Sequence, residues 1–140
     1  MNIKRTYSGI GYSAVARLVF LSFAIVILGC KKSDLPPEQI AVDVVTKCVM
    51  GTYDDLDNRV AGDVKNFISR DRELRKNGRS WFASVKTANF TVLNVKSDGR
   101  SASVLLKAVL DDKVEEMPVW LEMDKDDKWR VVSFANERKQ

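Results

Sequence analysis

Tyr53, Asp54 and Asp57 are the best acid/base grouping in the sequence, a hydroxyl and two carboxylates within five positions. If the apolar stripe before them continues as a helix, Asp54 and Asp57 share one face at i and i+3, a spacing that suits proton transfer. The competing reading, a solvated helix end, is the expected one, because carboxylates are seldom buried without partners. Asp124, Asp126 and Asp127 carry the oxygen ligands that calcium prefers. An EF-type loop, however, needs a distal glutamate and a glycine at its sixth position, where Trp129 stands. A hairpin turn is the better reading. The chain has no histidine and, beyond Cys30, a single cysteine, which removes zinc and histidine-activated nucleophiles from the inventory. It also lacks a phosphate-cradling glycine loop. No catalytic residue, metal ligand or cofactor site is assigned.

Cys30 is the residue whose chemistry is most legible. Lys4, Arg5 and Arg17 precede an eleven-residue apolar run from Leu18 to Leu28, and no acidic residue occurs before position 30. A charged region, an apolar region and a small residue next to the cut are the order of an export signal. The ending Ile27-Leu28-Gly29-Cys30 resembles the lipobox of bacterial lipoproteins. That resemblance implies cleavage between Gly29 and Cys30, a diacylglycerol on the Cys30 sulfur and an acyl group on its amine. Residues 1–29 are then the signal peptide. A retained span is disfavoured, since eleven residues rise only about 16 Å, half of a ~30 Å hydrocarbon core. An ordinary secretory signal would need small residues where Ile27 and Leu28 stand. Lys31 follows the cysteine where an aspartate would imply inner-membrane retention. The expected location is therefore the outer membrane, facing the periplasm, with the bilayer as partner through Cys30.

Removing the signal changes the charge. Three of the 23 basic residues precede Cys30, leaving 20 against 19 acidic ones. The formal charge of +4 thus belongs mostly to the export segment and gives no reason to expect nucleic acid. Arg70, Arg72, Arg75, Lys76 and Arg79 still crowd one stretch. Asp71 and Glu73 interleave with them, so a solvated helix end or loop is expected, although anionic lipid heads or a polyanion could use such a patch. With Cys30 modified, Cys48 is left alone. It lies on an apolar helix face with Val44, Val45 and Val49, and is read as a buried structural thiol. An intermolecular disulfide and a nucleophile are the weaker alternatives.

These residues must be positioned by elements that the patterning predicts. Residues 30–36 read as a tether, and Pro36-Pro37-Glu38 as a helix start. The stripe Ile40, Ala41, Val44, Val45, Cys48 and Val49 predicts a long helix to about Leu56, broken at Asp57 or Asn58. Ala61 to Ser69 predicts a second helix, and Trp81, Phe82 and Val85 a short helical turn. Phe90–Lys96, Arg100–Leu110, Val114–Met123 and Trp129–Ala135 predict four antiparallel strands, the first two joined at Asp98-Gly99. Helices followed by strands is the α+β order. Alternation assigns Ala102, Val104, Leu106, Ala108, Leu110, Met117, Val119, Leu121, Met123, Trp129 and Val131 to the core. Pro118 should mark a bulge or a change of curvature. On the other face Leu105, Val109, Trp120, Val132 and Phe134 form an apolar cluster. It would suit a homodimer, another protein, or a helix or tail of the same chain.

Pro37-Glu38 with Val44-Val45, the step Gly62-Asp63-Val64, and the ending Asp126-Asp127-Lys128-Trp129-Arg130-Val131-Val132 carry a second resemblance. Residues 36–135 resemble small bacterial lipoproteins of unknown function with a nuclear-transport-factor-two-like (cystatin-like) domain. The resemblance implies a long N-terminal helix and short helices on a curved, cone-like four-stranded sheet, spanning 37–136 with a tail at 137–140. The function expected is a non-catalytic ligand- or protein-binding domain in the cell envelope. The alternative is a small periplasmic enzyme using a pocket carboxylate near Tyr53 and Asp54.

Overall fold

The computed structural model of the protein describes residues 35–134. The export segment, Cys30, most of the tether and the 137–140 tail lie outside those residues. The described part is α+β: two helices and a four-stranded antiparallel sheet in the order β1-β2-β3-β4.

Helix α1 spans Pro37–Met50, with a proline in its first turn and Glu38 near the positive end of its dipole. Its buried face carries Ile40, Ala41, Val44, Val45, Cys48 and Val49, as the stripe predicts. The helix stops six residues before Leu56. Gly51 adopts φ +73°, and the Thr52 N–H returns to the Lys47 carbonyl at 3.0 Å. A glycine in the left-handed region ends the helix before Asp57 or Asn58 can.

Helix α2 spans Gly62–Lys76, seven residues beyond the predicted end at Ser69. Its second half, read from sequence as a solvated helix end or loop, is the end of the helix. Arginine, lysine, glutamate and leucine are all good helix formers, and Arg75 and Lys76 suit the negative end of the dipole. Residues 80–85 form successive turns, with Ala83 N–H to Ser80 O at 3.1 Å and Val85 N–H to Phe82 O at 3.0 Å.

The strands are β1 (Ala88–Ser97), β2 (Ser101–Leu110), β3 (Lys113–Met123) and β4 (Trp129–Ser133). The β2–β3 register is unbroken through Leu105 and Pro118, so Pro118 marks no bulge. Pairing with β4 begins only at Trp120. At Pro118, β3 is therefore an edge on that side, and the missing N–H leaves no ladder bond unmade. The irregularities fall elsewhere, at Leu93 in β1 and Val132 in β4.

The Val132 bulge corrects the predicted faces. Leu121 pairs with Val131 but Trp120 pairs with Ser133, so one extra residue reverses the alternation. Phe134 consequently packs against the core and meets Phe67 edge-on at 6.1 Å. Val132 stands beside Gly62, where an added Cβ would lie 3.2 Å from the Val132 carbonyl. The segment before α2 binds the outer edge of β4 through Val60 and Val131, with Ala61 N–H to Val131 O at 2.9 Å.

Both helices contribute to one core, which includes Val44, Leu56, Val64, Val104, Leu106, Val119, Leu121 and Val131, all at most 1 % exposed. Leu110, Met117 and Trp129 pack at its margin.

Candidate functional site

The predicted acid/base grouping does not assemble. Because α1 ends at Met50, Asp54 and Asp57 share no helix face; both are exposed in the irregular segment that follows. Asp54→Asn is accordingly expected to change stability by less than about 0.5 kcal/mol. A chemical-denaturation loss above 1 kcal/mol would show that the carboxylate has a structural partner.

Tyr53 takes part in a different site. Its ring is buried, and its hydroxyl donates to the carboxylate of Asp71, a fully buried side chain on α2. Ser80 Oγ donates to the other Asp71 oxygen at 2.7 Å, and Arg75 Nε reaches Asp71 Oδ2 at 2.9 Å. Arg75 also donates from Nε to the Tyr53 hydroxyl at 2.9 Å, and from Nη2 to the carbonyls of Val49 at 2.9 Å and Cys48 at 3.2 Å. A cation thus closes the carboxyl end of α1, where unpaired carbonyls and the helix dipole favour positive charge. The network joins α1, the loop after it, α2 and the turn at Ser80.

The electrostatics follow from these bonds. Burial alone would raise the Asp71 pKa, but donors from Tyr53, Ser80 and Arg75 outweigh it and hold the carboxyl below its ordinary value. Burial and donation to Asp71 push the Tyr53 hydroxyl up to about 12. Burial, helped by the charge of Asp71, pushes the Cys48 thiol up to about 12. Cys48 is therefore a protonated, buried thiol at neutral pH rather than a poised nucleophile. Asp71 is ionised with both oxygens engaged and has no solvent-facing surface, so it lacks what a general base needs. The network holds segments together.

Above it lies an open cleft of about 630 Å³ lined by Gly51, Tyr53, Ser69, Arg72, Glu73, Arg75 and Lys76. Arg72 Nη2 donates to the Tyr53 carbonyl at 3.2 Å. The Arg72 and Arg75 guanidinium carbons stand 5.4 and 5.7 Å from the centre of the Tyr53 ring, within cation–π reach. Sequence reasoning missed Asp71 as a site residue, although one signal was present. Val64, Ile68 and Asp71 recur at four and three, placing a carboxylate on the apolar stripe with Arg75 one turn later.

The calcium candidate is a turn. Asp124 accepts the N–H groups of Asp126 at 2.8 Å and Lys128 at 3.0 Å, and Arg130 Nε at 2.6 Å. The Lys128 N–H first, then Arg130, hold its pKa down at about 2. Among the described residues no group of three or more acidic or cysteine side chains is arranged to hold a metal.

On the outer sheet face Leu105, Val109 and Trp120 are half-buried, and Val114 is 61 % exposed beside Val109. Phe134 leaves this set for the core, and Val132 is the bulge residue against Gly62. No helix among the described residues is long and apolar enough to cross a membrane. Compared with family models, curated proteins and solved structures, the chain matches none.

Proposed function

We propose that the chain is a bacterial lipoprotein, anchored through Cys30 in the cell envelope at the outer membrane, whose domain binds rather than catalyses. One observation carries the anchor: cations at Lys4, Arg5 and Arg17, apolar residues from Leu18 to Leu28, then Gly29-Cys30. Lipid on this cysteine is sufficient physically, since each buried methylene contributes about 0.8 kcal/mol and two or three chains give a durable anchor. Proline at 36 and 37 gives a semi-rigid spacer between lipid and fold.

The binding reading is supported by the saturation of Asp71 and by the exposure of Asp54 and Asp57; Glu73, which lines the cleft above Tyr53, is solvent-exposed and paired with Lys76 at 2.7 Å. A nuclear-transport-factor-two-like, cone-like fold is the finer architecture we favour. Helices ahead of a four-stranded antiparallel meander support it, as do bulges at Leu93 and Val132, which increase local twist and bend strands. A protein partner, a second copy included, would use the Leu105, Val109 and Trp120 side of the sheet.

Replacing Cys30 with serine tests the anchor. The expected result is an uncut precursor that incorporates no labelled fatty acid, while the wild type is cut and labelled. Normal cleavage and labelling of C30S would overturn the proposal.

A further inference from the structure

The cleft above Tyr53 is charged in a way the network beneath it does not require. Three cations line it, Arg72, Arg75 and Lys76. Arg75 is matched by Asp71 at 2.9 Å, and Lys76 by Glu73 at 2.7 Å. Arg72 has no carboxylate partner among the described residues; its only bond is to the Tyr53 carbonyl. Arg72 is thus the cleft cation left without a countercharge among the described residues. Excess positive charge therefore gathers at one open concavity, where it raises the local concentration of anions.

The donors are also fixed in place. Four acceptors hold Nε and Nη2 of Arg75, yet its Nη1 finds no acceptor among the described residues. Arg72 is held over the Tyr53 ring through Nη2, with Nε and Nη1 uncommitted. Two guanidinium groups ordered by the protein present planar N–H edges that match an oxyanion, and their ordering entropy is already spent on folding. Gly51 opens the wall of the cleft, since a Cβ there would lie 2.5 Å from the Arg75 guanidinium.

From this geometry we infer that the Gly51–Tyr53–Arg72–Arg75 cleft is a binding site for a phosphate group. Phosphate offers several acceptor oxygens and up to two negative charges to donors that converge from two arginines, with Lys76 at the rim. The phosphate can belong to a small soluble molecule or to a phospholipid headgroup. The cleft lies at the carboxyl end of α1, and the 14 residues of that helix rise about 21 Å from the tether end. The inference stands without the lipid anchor, because the donors are all on the folded domain.

Titration of the purified full chain in neutral detergent, followed by amide and arginine Nε–H resonances, tests it in two arms. One arm uses inorganic phosphate and the other glycerophosphoglycerol, a soluble phosphodiester headgroup, both against chloride at equal ionic strength. The expected result is saturable shifts at Gly51, Tyr53, Arg72 and Arg75 in at least one arm. Tighter binding of inorganic phosphate assigns a free phosphate, and tighter binding of the diester assigns a headgroup. R72Q, at an exposed position, should weaken binding about tenfold, as expected for loss of a charged hydrogen bond. K107Q, on the opposite sheet face, should not. Equal shifts with chloride, non-saturating shifts in both arms, or wild-type affinity in a folded R72Q would overturn the site.

Discussion

Asp71→Ala is expected to destabilise the domain by about 3–5 kcal/mol, the usual cost of removing one partner from a buried charge pair. Domains of this size are held by only about 5–15 kcal/mol, so the variant should sit at the edge of folding. The magnitude follows from what remains after the carboxylate is gone. The Tyr53 and Ser80 hydroxyls lose their acceptor inside the protein, and the partly buried Arg75 guanidinium loses its countercharge. Lys76–Glu73 makes the contrast: both side chains are about 70 % exposed, and such pairs contribute between nothing and about 1 kcal/mol. Urea unfolding should show a lower midpoint for D71A, or no folded baseline. A loss below 1 kcal/mol would mean that Asp71 is not the hub described above.

The same residue sets a pH dependence whose sign is fixed. Its pKa is lower folded than unfolded, so the unfolded state binds more protons as pH falls towards 4 and below. The stabilisation is fully present above the ordinary carboxylate pKa and is lost as pH drops through the folded value. Asp111 and Asp124 are depressed too, Asp111 chiefly by the Thr87 N–H and Asp124 by the Lys128 N–H, and add to the same acid limb. D71A, or the milder S80A should D71A not fold, will flatten part of that limb relative to wild type. An identical acid profile in S80A and wild type would count against the Ser80 share.

What could be read without coordinates depended on whether a signal was local. The α1 stripe, the four strands and the Asp98-Gly99 hairpin lie within short windows, and the structure has them. Three features needed non-local information. The end of α1 turned on Gly51, a residue compatible with continued helix until Arg75 from α2 occupies the space beside it. The outer face was misassigned at Phe134 because the extra residue in β4 is visible only once β3 is laid against it. Asp71 looked like one charge among many, since its partners Tyr53 and Ser80 are distant in sequence by 18 and 9 positions. A carboxylate on an apolar helical stripe followed by arginine one turn later is the pattern that would have exposed it.

Gly51→Ala is the second large effect, expected to cost about 2–4 kcal/mol, and its value lies in how that cost divides. At φ +73° an alanine pays about 1–2 kcal/mol for the left-handed backbone alone. Its Cβ would also lie 2.5 Å from Cζ and Nη1 of Arg75 and 2.7 Å from Nε. A free arginine tip would swing aside at little cost. This one is tied to Asp71, Tyr53, Cys48 and Val49, so moving it breaks bonds to a buried carboxylate and to the end of α1. The two contributions separate in a double-mutant cycle with Arg75→Met, which removes the guanidinium but keeps much of the stem packing. In that background Gly51→Ala should cost only the backbone share, giving a coupling of at least about 1 kcal/mol between residues 24 positions apart. Strict additivity would mean that the guanidinium tolerates displacement, and the glycine would then serve the turn alone. A coupled result ties the helix end, the buried carboxylate and the wall of the basic cleft to one absent methyl group.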